Sequence, residues 1–105
     1  MKMNAYIAGV GMTHFGRHLD RTLKSLAGEA ITAAVKDAAL SLDDVEIAYM
    51  GNAAGGIVQG QEMISGQSAL RELGVGKIPV VNVENACATS STAFNQAAAM
   101  ITAGF

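Results

Sequence analysis

From Ala88 to Ala103 the chain carries no charged residue, and its run of Ala, Thr, Ser and Met reads as a helix. A helix without a charged face has to be covered on several sides. In 105 residues that demand is hard to meet, because a domain of this size leaves much of its surface in water. The run therefore predicts a buried helix in a unit that is part of something larger. The ending Ala103-Gly104-Phe105, just past a helix-stopping glycine, reads as a chain cut before its next strand.

Upstream, short apolar runs alternate with helical patterns. Tyr6-Ile7-Ala8-Gly9-Val10-Gly11 predicts a first strand, with a loop from Met12 to Leu19. Asp20 or Thr22 can cap a helix in which Leu23, Leu26, Ala30, Ala34 and Ala38 keep helical spacing, opposite the polar Ser25, Glu29, Thr32 and Lys36. Leu42-Asp43-Asp44 breaks the pattern. Glu46–Asn52 predicts a second strand, 53–66 a long glycine-rich loop, Gln67–Gly74 a short helix, and Pro79–Glu84 a third strand with its proline at the start. The last helix begins near Cys87. Strand, helix, strand in repetition implies parallel crossovers, hence an α/β unit of βαβαβα order.

Half of the residues are hydrophobic and 15% are charged, so the chain is apolar enough to fold. Seven basic residues against nine acidic ones, without a Lys/Arg cluster, argue against nucleic-acid binding. A single cysteine excludes an internal disulfide, and no Cys/His pair has the short spacing of a zinc site. No signal peptide is evident, and no apolar run approaches the roughly 18 residues of a membrane span. The expected location is the reducing cytoplasm.

Cys87 is the chemical candidate. It stands between a strand ending near Asn85 and the uncharged helix, beside unpaired backbone N–H groups and the positive end of the helix dipole, a setting that favours thiolate. Ala86, Ala88, Thr89, Ser90 and Ser91 are all small and leave room for a substrate. A lone cysteine is more often inert buried filling. His14 and His18 read as solvated loop residues without a carboxylate to orient them. Gly9-Val10-Gly11-Met12-Thr13-His14 lacks the third glycine of a dinucleotide fingerprint, and Gly51-Asn52 replaces the acidic ribose ligand. Strand alternation sets Glu84 on the face opposite Val83 and Asn85, which suggests a structural or interfacial role.

Val83-Glu84-Asn85-Ala86-Cys87-Ala88-Thr89-Ser90-Ser91-Thr92-Ala93 resembles the nucleophile segment of the thiolase superfamily, particularly its lipid-transfer (sterol-carrier-associated) branch. Ala8–Arg17, Met50-Gly51-Asn52 and Gly60-Gln61 resemble the same branch in the same order. The resemblance covers essentially the whole chain, so residues 1–105 would be the partial amino-terminal domain of a layered α/β/α enzyme. It implies that Cys87 accepts an acyl group from an acyl-CoA thioester, with its own N–H on the oxyanion, and passes it on. It implies coenzyme A thioesters as substrates, no tightly bound cofactor or metal, and a homo-oligomer formed through the amino-terminal sheet, with Val80–Glu84 and Ala53–Gly66 at the contact. The base and the second histidine/cysteine pair of such enzymes come from later segments, so the fragment alone is expected to be inactive and poorly soluble. Two alternatives stand beside this reading: a β-ketoacyl synthase-type condensing enzyme, which Ala86-Cys87-Ala88-Thr89-Ser90 also resembles, and a noncatalytic thiolase-like binding or assembly subunit.

Overall fold

The computed structural model describes residues 2–105; Met1 lies outside them. The order of elements is α1 (Leu23–Asp37), β1 (Ala48–Gly51), α2 (Gly55–Gln59), α3 (Ser65–Glu72), β2 (Val80–Val83) and α4 (Thr89–Thr102), with short 3-10 turns at Leu42–Asp44 and Ala86–Ala88. β1 and β2 pair in parallel, Ala48 opposite Val80 and Gly51 opposite Val83. The carbonyl of Pro79 accepts from Ala48 N–H, so the proline extends the ladder through the one backbone group it has to offer.

Strand alternation splits the sheet into two faces. Met50, Val80 and Asn82 lie against Gly66 of α3, whereas Gly51 lies against Thr89 of α4. α3 packs on one side of the strands, with α1 against α3, and α4 packs on the other, an α/β/α sandwich in miniature. The buried apolar set is small: Ala69, Leu70 and Ala93, joined by the polar Ser65 and Thr89.

The helix ends follow local rules. Thr22 caps α1, its Oγ1 accepting from Ser25 N–H at 3.1 Å. α3 ends in a Schellman motif: Gly74 takes φ +79° and Val75 N–H reaches Leu70 C=O at 3.0 Å. α1 closes in the same way through Leu40 N–H and Val35 C=O, but with exposed Ala39 at φ +55°. A Cβ in that region costs about 1 kcal/mol. Ala39→Gly is therefore expected to stabilise the chain by about 0.5–1 kcal/mol, seen as a raised urea midpoint at unchanged slope.

Three expectations from the sequence are corrected. Tyr6–Gly11 forms no strand: residues 2–17 make no backbone–backbone hydrogen bond among the described residues. Composition makes a segment capable of being a strand, but its glycines bring this one down onto a helix instead. A Cβ at Gly9 or Gly11 would collide with the Ala34 or Ala30 carbonyl of α1, and Val10 N–H is satisfied by Asp37 Oδ2 at 2.9 Å. The stretch 53–66 is not all loop, since it contains α2, where Asn52 Oδ1 accepts from Gly55 N–H at 2.9 Å and Gly60 terminates at φ +72°. Finally, α4 is not buried on all sides. Thr89 and Ala93 are covered, while Phe94 is 61% and Ile101 54% exposed. Their outward face borders an apolar groove of about 480 Å³, walled by residues 3–9, α1 and α4.

Candidate active site

The two parallel strands deliver their carboxyl ends to one edge of the molecule, where ligands of open α/β sheets bind. Three stretches meet there: the Asn52–Glu62 connection, the start of α3, and the turn between β2 and α4. Together they line a polar cavity of about 420 Å³ that includes Asn52, Gln61, Glu62, Ser65, Asn82 and Glu84. Asn82 fixes its floor. From β2 its Oδ1 accepts from Gly66 N–H at 2.7 Å and from the Ser65 hydroxyl at 3.3 Å, and its Nδ2 donates to Gln67 Oε1 at 2.7 Å. It thus caps α3 from another element, because Ile64 at the cap position, with φ +47°, offers no side-chain acceptor.

The turn after β2 is held at several points. Ala86 takes φ +46°, a left-handed conformation that only local restraint holds for a residue with a Cβ. Glu84 Oε2 accepts from Ala86 N–H at 2.6 Å. On the other side, Thr89 Oγ1 accepts from Asn85 N–H at 2.8 Å and donates to Ala86 C=O at 2.6 Å. Asn85 Nδ2 reaches Thr92 Oγ1 at 3.1 Å, and that hydroxyl donates to Ala88 C=O at 2.8 Å. Thr89 is 4% exposed and ties the turn to the sheet through its methyl group against Gly51.

This clamp carries Cys87, in the middle of the 3-10 turn that leads into α4. The helix proper starts two residues after the cysteine. The side chain is exposed and reduced. Its N–H points from a helix head without a backbone or side-chain acceptor among the described residues, and its sulfur likewise has no hydrogen-bond partner there. A free donor next to an open thiol is the pair of groups that a thioester carbonyl requires. The thiol does not line the polar cavity or the apolar groove.

Neither histidine joins it. His18 Nε2 bonds His14 C=O at 2.7 Å, an interaction internal to the first loop. No group of three His, Cys, Asp or Glu side chains stands together as a metal site among the described residues. No helix there is long and apolar enough to cross a membrane. Sequence reasoning located Cys87 but not its restraints. Thr89 and Thr92 could have been suspected, as hydroxyls in a first helical turn commonly bond nearby backbone. The Glu84–Ala86 bond left no such signal, because it depends on the positive φ between them.

Alternating helices and parallel strands in this order fit a thiolase-like amino-terminal αβαβα unit. Residues 5–105 match the family model described as "Thiolase, N-terminal domain", and the chain belongs to that family. Among similar proteins, the acetyl-CoA acetyltransferase of Methanocaldococcus jannaschii is 38% identical over 93% of this chain and 25% of its own length. Benzoylsuccinyl-CoA thiolase subunit BbsB of Thauera aromatica is 38% identical over 92% of this chain and 24% of its own. Human sterol carrier protein 2 is 37% identical over 94% and 18%. The chain thus spans a quarter or less of these relatives. Their near-equal identities establish the superfamily and single out no branch within it.

Proposed function

We propose that Cys87 is the acyl acceptor of a thiolase-type site acting on acyl-CoA thioesters, and that these 105 residues supply only the nucleophile-bearing part of it. In that step the Cys87 thiolate forms a bond to the thioester carbonyl carbon, the bond to the coenzyme A sulfur breaks, and coenzyme A leaves as its thiolate. The Cys87 N–H would face the carbonyl oxygen as charge gathers on it. The observation that carries the reading is the exposed thiol beside an unused N–H, within a segment that the thiolase family model spans. The names of the acetyltransferase and thiolase relatives support acyl-CoA as the substrate class. A cytoplasmic location, a place in the lipid-transfer branch and a homo-oligomer across the β2 edge belong to the same proposal. In support of the last, β2 pairs on one side only among the described residues.

A noncatalytic binding or assembly unit is the second reading, and one observation favours it for the 105 residues taken alone. The thiol has no base within hydrogen-bond reach among the described residues, and nucleophile and base work as a unit. The two readings separate in one experiment: incubation with acetyl-CoA, then peptide mapping by mass. The first expects an acetyl adduct on the peptide bearing Cys87, absent in Cys87→Ala. An adduct that persists in Cys87→Ala overturns it. Protein that binds acetyl-CoA yet never acquires the adduct, in the presence of the remaining thiolase segments, establishes the second. Acylation from acyl carrier protein instead of coenzyme A esters would assign the site to a β-ketoacyl synthase.

A further inference from the structure

Glu84 does more than edge the polar cavity. Its side chain is exposed, yet its carboxylate is committed to the backbone one residue short of the cysteine, with Oε2 2.6 Å from Ala86 N. That amide lies at the head of a helical segment, where N–H groups have no ladder partner. The residue it belongs to holds φ +46°, which an alanine does not adopt unaided. Ala86 is thereby gripped at both ends: its N–H by Glu84 and its C=O by Thr89.

The Ala86 torsions set the direction in which the next N–H and the next Cα–Cβ bond leave the chain. Those are the Cys87 amide and the bond that carries the thiol. We propose that Glu84 is a positioning residue for Cys87: its carboxylate locks the left-handed turn and so presents the thiol and the adjacent N–H together, without itself touching the acyl group. The inference rests on the reading of Cys87 as acyl acceptor, and it adds the group that determines how well that acceptor is aimed. A charged acceptor suits the task, because hydrogen bonds from backbone N–H to a carboxylate are shorter and stronger than those to a neutral oxygen. Thr89 and the backbone bond from Ala88 N–H to Asn85 C=O hold the rest of the turn, and among the described residues Glu84 is the one side chain that holds the Ala86 N–H itself.

The test uses the full protein and three variants. Glu84→Ala is expected to lower kcat for acyl transfer about tenfold with KM for acetyl-CoA within twofold, and to slow alkylation of Cys87 by iodoacetamide by a similar factor. Glu84→Gln, which restores an acceptor at the same reach, is expected to recover most of both rates. Glu84→Leu keeps a side chain of similar size without an acceptor or an added charge and should be as slow as Glu84→Ala; it decides the matter should the alanine variant fail to fold. Unchanged alkylation and kcat in Glu84→Ala overturn the proposal. A Glu84→Gln variant as slow as Glu84→Ala also overturns it, because an amide oxygen at the same reach still offers the Ala86 N–H an acceptor. Alkylation reads the turn without acyl chemistry. An acetyl adduct found elsewhere than Cys87 defeats the acyl-acceptor reading, while slowed alkylation in Glu84→Ala still reports the lock.

Discussion

Thr89→Val is expected to destabilise the chain by about 2 kcal/mol, although it exchanges only a hydroxyl for a methyl of similar volume. The hydroxyl makes two bonds, accepting from Asn85 N–H at 2.8 Å and donating to Ala86 C=O at 2.6 Å, and Thr89 itself is 4% exposed. Leaving a buried polar group unpaired costs about 1–3 kcal/mol. Ala86 C=O keeps its bond from the backbone N–H of Thr89, and Asn85 is exposed so that water recovers part of its loss; the sum falls short of two full penalties. Thr89→Ser keeps both bonds and loses only the methyl group against Gly51, at a cost of about 1 kcal/mol. Urea denaturation distinguishes them: the expected order is wild type, Ser, then Val. A valine variant as stable as wild type would show that the turn holds its shape without this clamp. The same variant should alkylate less uniformly at Cys87, since the left-handed Ala86 then keeps the Glu84 contact and the backbone bonds of the turn but loses the side-chain hold on its far side.

What the sequence disclosed divides along the line between local and distant causes. Helix α1 starts at Leu23 with Thr22 as its cap, as the spacing indicates, because cap and first turn lie within four residues of each other. β1 and β2 occupy the cores of the stretches read as strands, each trimmed at its ends. α3 begins at Ser65, two residues earlier than its pattern suggests, since Asn82 satisfies Gly66 N–H from a different strand and no local residue announces that. The Tyr6–Gly11 reading failed for a related reason: β-prone composition is a property of the segment, whereas a ladder is a property of a neighbour. The position of Cys87 was legible because strand, small residues and helix follow one another in order. Its clamp was not, for Thr89, Thr92 and Asn85 are ordinary polar residues and Glu84 acts through a backbone torsion. The uncharged run of α4 predicts a buried helix; its open face agrees instead with the shortage of covering material that the same run implies.

Two glycines of identical composition should respond oppositely to the same substitution. Gly51 ends β1 with its missing side chain aimed at α4, where a Cβ would sit 2.7 Å from Thr89 Cγ2 and 3.4 Å from the Thr89 carbonyl carbon. Thr89 cannot swing aside without breaking the two bonds that close the Cys87 turn. Gly51→Ala therefore forces α4 off the sheet and is expected to cost about 2–3 kcal/mol, the usual range for overpacking a close contact. At Gly76 a Cβ would meet nothing within 4 Å, and no positive φ is required there. Gly76→Ala is expected to be neutral or to stabilise by up to about 1 kcal/mol, by removing freedom from the unfolded chain alone. The two melts should thus shift in opposite directions. Only the Gly51 variant should also change the alkylation rate at Cys87, because only there does the added methyl push on the residue that ties the turn to the sheet. Equal shifts in the two variants would mean that the strand end and the cysteine turn are not mechanically joined.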